Sequence, residues 1–214
     1  MDDRARPGLT VEPRASLSLA DYRRRVADLY EEVRASDPQN GWLLWRAGRD
    51  ELFHTHPQSP IPQDSRAAFG GLAYYDYDPA LRFVVEVQPA TGGRVALPHS
   101  GDGTTPGRAI GTGTVTIEGR RITVTLFRLE QYGDALFLPF RDATAGTETY
   151  GGGRYLLDSA KGADLGGSEA EIVLDFNFAY HPSCVHDPRW SCPLAPPESR
   201  LSVAIRAGER LEAS

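Results

Sequence analysis

The sequence lacks the features that would place a protein in a membrane or outside the cell. No uncharged stretch approaches the roughly 20 apolar residues needed to cross a bilayer, and the first residues contain no apolar run of the kind found in export signals. Only two cysteines occur, which is more typical of reduced thiols than of a secreted disulfide framework. We therefore expect a cytoplasmic protein with no membrane partner.

An excess of positive charge is also missing. The chain carries a formal net charge of -6, with an isoelectric point near 5.4. The one basic run, residues 23–25, is followed within a turn or two of helix by three acidic residues, which indicates a solvated helix face. Because nucleic-acid binding relies on clustered lysine and arginine, we expect no nucleic-acid partner.

Turn-forming residues, by contrast, are plentiful. The chain of 214 residues contains 22 glycines and 16 prolines, and 40% of its residues are apolar, which favours a many-stranded globular fold. Nine short apolar or alternating runs are bounded by turn residues. They are Phe69–Tyr77, Leu81–Val87, Arg94–Leu97, Gly113–Ile117, Ile122–Phe127, Leu136–Phe140, Tyr155–Leu157, Ile172–Phe176 and Leu201–Ile205. The predicted fold is mainly β, an antiparallel barrel or sandwich with one or two N-terminal helices packed against it.

The N-terminal region shows helical rather than strand periodicity. Residues 1–16 are polar and aperiodic and are predicted to be a flexible arm, which leaves 17–214 as a single mainly-β domain. From Leu19 to Val33 apolar residues recur at a spacing of three or four, with Ser18 as a candidate N-cap. The pairs 37–38 and 40–41 are predicted to end this helix, and a second, shorter helix is expected from Trp42 toward Phe53.

One hairpin is predicted from local pattern alone. Between residues 113 and 127, apolar residues alternate with polar ones on both sides of Glu118-Gly119. Strict alternation is typical of a strand with one buried face, and a short turn ending in glycine is typical of a tight hairpin connection.

Several segments resemble a known family. They are Trp45-Arg46 with Arg49, Phe69–Leu72, Phe140–Leu156, Leu174–Cys184, Cys192–Leu201 and Ile205–Glu209. Their order and spacing over about residues 40–210 are similar to those of the uncharacterised bacterial and archaeal family called domain of unknown function 1684. The sequence departs from the family pattern at His181 and Ser199. The resemblance implies no reaction, cofactor or substrate.

A polar, glycine-dense loop is the first candidate ligand site. Three successive glycines can present backbone N–H groups to an anion, and Arg154 can clamp a carboxylate or phosphate. The spacing matches neither a P-loop nor a dinucleotide fingerprint. The predicted ligand-binding residues are Asp142, Thr149, Gly151, Gly152, Gly153 and Tyr155.

The segment from Asp175 to Tyr180 is the second candidate. Read as a strand, it places Asp175 and Asn177 on one face, where an unpaired carboxylate would be costly to bury. In the catalytic hypothesis Asp175 is the general base, Asn177 donates to an oxyanion, and Tyr150 or Tyr180 is the acid. In the structural alternative Arg154 simply pairs with a nearby acid such as Asp175.

Sulfur and imidazole groups leave alternatives open. Cys184 and Cys192 are close enough in sequence to form a disulfide, to stay free, or to join His181 and His186 around a metal ion. Residues 54 and 56 are predicted to be solvated loop histidines. No metal ligand and no cofactor is assigned.

Three functional hypotheses follow. The first is a small-molecule-binding protein with a pocket, which extends to a cofactor-independent acid-base enzyme acting on an anionic or carbonyl-bearing substrate, with Arg154 anchoring charge and Asp175 moving a proton. The second is a non-catalytic ligand-binding or sensor module, and the third is a structural or partner-interaction domain. A small-molecule ligand is expected as partner, and self-association is left open.

Overall fold

Two helices begin the part of the chain that the computed structural model describes, residues 13–130 and 133–212. Helix α1 covers Pro13–Ala35 and helix α2 covers Pro38–Thr55, and they pack against each other. Among the described residues, no helix is both long enough and apolar enough to cross a bilayer.

Helix α1 follows the predicted apolar stripe but starts earlier than predicted. Tyr30 and Val33 are buried, whereas Ser18 lies inside the helix and is not its N-cap. Residues 13–16, assigned to the flexible arm, form the first turn, because a proline tolerates the first helical position and good helix formers follow it. Residues 1–12 lie outside the described part.

Helix α2 starts where the first helix was predicted to end. The Asp37 carboxylate caps it by accepting a hydrogen bond from the Asn40 N–H at 3.1 Å. The pair at 40–41, predicted to be a break, therefore lies in the first turn of α2. Gly48 lets the two helices approach, since a Cβ there would lie 2.7 Å from a methyl carbon of Leu29.

Eight strands follow in the described part of the chain, and all their pairings are antiparallel. They are β1 Arg82–Glu86, β2 Gln88–Pro89, β3 Arg94–Pro98, β4 Thr104–Ile117, β5 Arg120–Leu129, β6 Leu136–Phe140, β7 Arg154–Asp158 and β8 Glu171–Asp175. One sheet has the order β2-β4-β5-β6-β7, with β3 also paired to β4, while β1 and β8 form a second, two-stranded sheet.

The predicted hairpin is confirmed. Ile117 pairs with Arg120 across the turn, where Glu118 and Gly119 have φ angles of 51° and 74°. Both residues with positive φ are typical of the type I′ turn that matches strand twist. The alternating apolar residues of β4 and β5 are buried, as expected.

Two predicted strands are wrong. The segment 69–77 follows a short 3-10 turn and makes a single bridge from Tyr74 to Glu209, and the segment 201–205 forms no strand. Isolated backbone bonds hold both, such as Tyr75 N–H to the Gly208 carbonyl at 3.0 Å. The apolar pattern of these two segments therefore reflects their burial in the core and not a continuous ladder of hydrogen bonds between strands.

Mainly β with two N-terminal helices is confirmed as the fold class. Within the described residues the larger sheet stays open, because its outer strands β2, β3 and β7 do not pair with one another. The two sheets share one apolar core, which includes Val85 and Val115. A second core joins the helices to the larger sheet through residues such as Trp45 and Phe137. The functional candidate lies in this second core.

Candidate ligand-binding site

A cavity of about 400 Å³ lies between the helices and the larger sheet. Helices α1 and α2 supply one wall, strands β5, β6 and β7 another, and the segment 180–193 closes the rim. Small-molecule sites typically occupy about 300–1,000 Å³. The cavity is therefore large enough for a small organic ligand.

The walls of the cavity are mainly apolar. The apolar and aromatic lining residues without a hydroxyl include Leu19, Val26, Leu29, Leu52, Phe53, Leu129, Phe137, Ala163 and Trp190. Surfaces of this kind gain free energy when an apolar ligand replaces water. The cavity therefore favours a ligand with a substantial hydrocarbon or aromatic part.

The charges on the lining are unlike those of the whole chain. Arg23, Arg49 and Lys161 line the cavity, and Asp158 is the one acidic residue among the described lining residues. Lys161 Nζ lies 2.9 Å from Asp158 Oδ2, so these two charges neutralise each other. Outside that pair the charged lining residues are Arg23 and Arg49, both cationic, in a protein of net charge -6.

Arg49 is the cation held most firmly at the cavity. Its guanidinium carbon lies 4.9 Å from the ring centre of Trp45, 5.0 Å from that of Phe53 and 4.9 Å from that of Tyr180. Nη2 contacts Glu209 Oε2 at 2.6 Å and Nε donates to the Tyr74 hydroxyl at 3.2 Å. Nη1 makes no hydrogen bond to the described residues and remains available to a ligand.

Glu209 holds Arg49 from behind the cavity. Its carboxylate is buried, and burial by itself would raise its pKa, but Arg49 and then His181 hold the pKa well below its ordinary value. The Tyr150 backbone N–H donates to His181 Nε2 at 3.2 Å, so the proton of the neutral ring lies on Nδ1, 3.3 Å from Glu209 Oε1. His181 is therefore a support for Glu209 and has no free ring nitrogen to act as a base.

Two hydroxyl groups add polar character to the lining. Neither the Tyr22 nor the Tyr180 hydroxyl makes a hydrogen bond to the described residues, and both residues line the cavity. Burial raises the pKa of Tyr22, and it raises the pKa of Tyr180 well above the ordinary value. Both groups therefore stay protonated at neutral pH and can donate to a ligand.

Arg154 does not take part in this cavity. The predicted pairing with Asp175 is wrong, because Arg154 Nη2 lies 3.5 Å from Asp142 Oδ1 instead. Its guanidinium also donates to the carbonyls of Ala207, Ile205 at 2.8 Å and Glu209 at 3.1 Å. Arg154 therefore ties the C-terminal segment to β7.

Asp142 and Thr149 belong to the same buried network. Asp142 Oδ2 accepts the Ile205 N–H at 2.7 Å, and its carboxylate accepts the Thr144 hydroxyl at 2.9 Å. The hydroxyls of Thr144 and Thr149 lie 2.9 Å apart. Asp142 and Thr149, which were predicted to contact a ligand, therefore hydrogen-bond to other residues of the chain.

Asp175 and Asn177 form a local structural motif. Residues Phe176–Phe178 adopt a 3-10 helix, so the predicted strand is wrong there. Asp175 Oδ1 accepts both the Asn177 N–H at 3.0 Å and its side-chain amide at 2.8 Å, and this capping ends β8. The Asn177 amide also bonds the backbone of Asp78 in both directions. The residues predicted as base and oxyanion donor therefore brace two segments.

The glycine run forms a turn before β7. Gly153 has a φ of 97°, and a Cβ there would lie 2.4 Å from the Phe140 carbonyl oxygen. Gly152 accepts a backbone hydrogen bond from Ala195 and Gly151 lies in the same turn. Of the predicted site residues, Tyr155 and Tyr180 do line the cavity, whereas Tyr150 and the three glycines do not.

The two cysteines are free thiols in the structure. His181 and His186 contact Glu209, with His186 Nε2 at 3.6 Å from Oε1. Among the described residues, no group of three or more His, Cys, Asp or Glu side chains is placed so that it could hold a metal ion. His56 is not solvated as predicted: it is buried, and Nε2 lies 3.2 Å from Asp21 Oδ2.

The sequence reasoning missed the cationic lining of the cavity. The sequence pattern places Arg49 only within a family motif and does not single out Tyr22. Aromatic residues at positions 42, 45 and 53 around an arginine of the same helix are a usable signal, because a buried guanidinium favours aromatic faces. No sequence pattern near Arg49 indicates its partner Glu209, which lies 160 positions away in the chain.

Comparisons with known proteins give a family and a fold relative. A family model described as "Protein of unknown function (DUF1684)" matches residues 67–210. A solution NMR structure of an uncharacterized protein of Haloarcula marismortui is 38% identical, covers 78% of this chain and 90% of its own, and superposes with a TM-score of 0.56. No curated protein matches. The family match covers β1 through the C-terminal segment but neither helix.

Proposed function

Because the chain belongs to the DUF1684 family, whose description assigns no function, we propose from the cavity that it binds a small apolar anion, with Arg49 as its anchor. The observation that carries this proposal is the contrast between the lining and the chain. Three cationic residues and one acidic residue line an apolar cavity in a protein of net charge -6.

The geometry of Arg49 favours a carboxylate ligand. Glu209 fixes Nη2 and the Tyr74 hydroxyl fixes Nε, so the guanidinium plane is oriented before a ligand arrives. The free Nη1 offers a directed, charge-assisted hydrogen bond in a low-dielectric setting. Preorganisation of this kind improves affinity because less side-chain freedom is lost on binding.

The remaining polar groups define the rest of the ligand. The Tyr22 and Tyr180 hydroxyls can donate to the second carboxylate oxygen or to a carbonyl beside it. The apolar walls then accommodate a hydrocarbon or aromatic body. We therefore propose a monocarboxylate with one apolar part, rather than a sugar or a nucleotide.

Binding is favoured over turnover. An acid-base reaction needs a free base in the site, and the one carboxylate of the described lining, Asp158, is held by Lys161 at 2.9 Å. The polar groups predicted for catalysis, Arg154, Asp175 and Asn177, hydrogen-bond to other parts of the chain and do not line the cavity. The presence of a cavity favours a ligand-binding protein over a purely structural domain.

The test uses decanoate, phenylacetate and naphthoate, each beside its neutral amide, in calorimetric titration and thermal unfolding. We expect carboxylates to bind at least about ten times more tightly than their amides and to raise Tm, since a ligand specific for the folded state stabilises it. The ligand should be recovered unchanged. No binding by any carboxylate, or equal binding by acid and amide, would overturn the proposal.

A matched control is available on the same helix. The guanidinium carbon of Arg46 also lies over aromatic rings, 4.6 Å from the ring centre of Trp42 and 4.8 Å from that of Tyr74. Arg46 does not line the cavity. Arg49→Met should abolish the preference for carboxylate over amide, and Arg46→Met should keep it. The same effect in both variants would remove Arg49 as the anchor.

A further inference from the structure

A second group of polar residues lines the cavity and has no part in anchoring a carboxylate at Arg49. His99 follows β3, Thr105 lies on β4, and Trp190 and Ser191 belong to the segment that closes the rim. These four residues, here called the distal cluster, come from other elements than Arg49, which lies on α2. The cavity therefore has two polar regions that different parts of the chain supply.

Main-chain contacts fix the position of the distal cluster. The Leu194 N–H donates to the Pro98 carbonyl at 2.7 Å, and His99 forms an isolated antiparallel bridge with Pro193. The segment that carries Trp190 is thus held against the end of β3. A ligand would meet groups that are already in place, which limits the freedom lost on binding.

Two tyrosine rings connect the distal cluster with Arg49 along one wall of the cavity. The ring centre of Tyr180 lies 4.9 Å from the Arg49 guanidinium carbon and 5.7 Å from the ring centre of Tyr155. The Tyr155 hydroxyl donates to the carbonyl of Pro193, the residue that bridges His99. Both tyrosines line the cavity. An elongated ligand is therefore needed to contact both polar regions.

The side chains of the distal cluster contain more donor hydrogens than their mutual contacts use. His99 Nε2 lies 2.7 Å from Thr105 Oγ1, and Nδ1 lies 3.1 Å from Ser191 Oγ. A neutral imidazole has one N–H, so one hydroxyl accepts from the ring and the other donates to it. The accepting hydroxyl keeps its own hydrogen, and neither hydroxyl has a further partner among the described residues. At least one O–H donor is therefore free.

Trp190 supplies a second free donor. Its indole Nε1 is buried and has no hydrogen-bond partner in the described part of the chain. A buried donor without a partner costs free energy, and native structures contain few of them. An acceptor atom of a ligand would remove this cost. Because the indole and the hydroxyl are neutral donors, they suit a neutral oxygen better than a second anion, whose lost hydration they would not replace.

We propose that the distal cluster binds a neutral acceptor oxygen of the ligand whose carboxylate Arg49 holds. The inference rests on the proposed function, since the anchored carboxylate is what directs the other end of the ligand toward His99 and Trp190. It narrows the ligand class to an apolar monocarboxylate that carries a ketone or another neutral oxygen several carbons from its carboxyl group.

The experiment compares ligands that differ only in a ketone oxygen, by calorimetric titration of the full chain. Decanoate is compared with decanoates that carry a ketone at the fifth, seventh or ninth carbon, and the four corresponding amides form a neutral series. At one position or more, the ketone should tighten binding about five- to tenfold, the effect of roughly one hydrogen bond. The amides should show the same preference, because the ketone oxygen does not use Arg49. No ketone preference at any position would overturn the inference.

The two series separate the inference from the proposed function. A preference for carboxylate over amide without a preference for the ketone would overturn the inference and keep the anion anchor. A preference for the ketone among the amides, without one for carboxylate, would support the distal cluster and overturn the anchor. Failure of every ligand to bind would overturn both.

Variants assign the ketone preference to the distal cluster. Trp190→Phe keeps an aromatic ring but removes the indole N–H, and the double variant of Thr105→Val and Ser191→Ala removes both hydroxyls. Each should reduce the affinity ratio of ketone to parent ligand, whereas Arg49→Met should keep that ratio in the amides. An unchanged ratio in both distal variants would overturn the inference.

A matched tryptophan elsewhere controls for loss of the fold. The Trp42 Nε1–H donates to the Asn177 carbonyl at 3.1 Å, and Trp42 does not line the cavity. Trp42→Phe should lower Tm and keep the ketone preference. Trp190→Phe should lose the preference and, without ligand, keep a Tm close to that of the wild-type chain, because the N–H that it removes has no partner. The reverse pattern would show that the Trp190 indole is structural.

Discussion

Two buried arginines of this protein, Arg154 and Arg49, sit in environments that look similar and serve different ends. Each guanidinium is paired with a buried carboxylate and lies beside an aromatic ring. Arg154 is 1% exposed, and its Nη1 and Nη2 contact Asp142 and three backbone carbonyls, while its buried Nε has no partner among the described residues. Arg49 has a 12% exposed side chain that lines the cavity and keeps Nη1 unpaired.

The difference shows what separates a structural cation from a binding one. A guanidinium whose donors are taken by the backbone can be removed only at the expense of the fold. One whose position is fixed by a carboxylate behind it, and whose free edge faces a cavity, can bind a ligand without rearrangement.

The largest expected effect comes from replacing each arginine by methionine. Arg154→Met should lower the free energy of unfolding by about 3–5 kcal/mol, because Asp142 and the carbonyls lose their partner inside packed protein. Arg49→Met should lower it by about 1–3 kcal/mol, because Glu209 keeps His181 and the cavity admits water. Urea unfolding of both variants measures this. Equal losses would break the comparison.

A smaller effect is expected at the turn that positions Arg154. Gly153→Ala places a Cβ 2.4 Å from the Phe140 carbonyl oxygen at a φ of 97°, and should destabilise the fold by about 1–3 kcal/mol. Gly70→Ala is the matched control, since a Cβ there meets nothing within 4 Å. Urea midpoints that shift equally for the two variants would show that the turn does not depend on glycine.

The smallest effect is a change in the slope of stability against pH. The folded pKa of Glu209 is depressed, so its contribution is complete above the unfolded value of about 4.3 and is lost as pH falls through the folded pKa. Glu209→Gln should therefore reduce the slope of the unfolding free energy against pH on the acid side, here called the acid limb, by at most about 1.4 kcal/mol per pH unit. Urea midpoints between neutral and acid pH measure this slope.

Asp175 supplies the opposite sign for this test. Burial raises its pKa, so its contribution is present below the unfolded value and is lost as pH rises through the folded pKa. Asp175→Asn should steepen the acid limb. A change in the same direction for both variants would contradict the assignment of the two carboxylates.

Two of the wrong predictions lie where a side chain competes with the backbone. The alternation from Asp175 to Tyr180 predicts a strand, but the Asp175 carboxylate captures the Asn177 N–H and turns the chain into a 3-10 helix. Asn40-Gly41 predicts a break, but the cap at Asp37 starts a new helix before it. A prediction made from the spacing of apolar residues takes account of neither of these side-chain hydrogen bonds.

Local pattern by itself determined the two helices, the tight hairpin at Glu118-Gly119 and the mainly-β class. In each case the deciding interactions lie within a few residues, as apolar period, cap or turn. Only the tertiary structure decided the partners of Arg154 and Arg49 and the existence of the cavity. Those depend on contacts between residues 12 to 160 positions apart, and a sequence period carries no information on which other segment supplies the buried carboxylate or carbonyl.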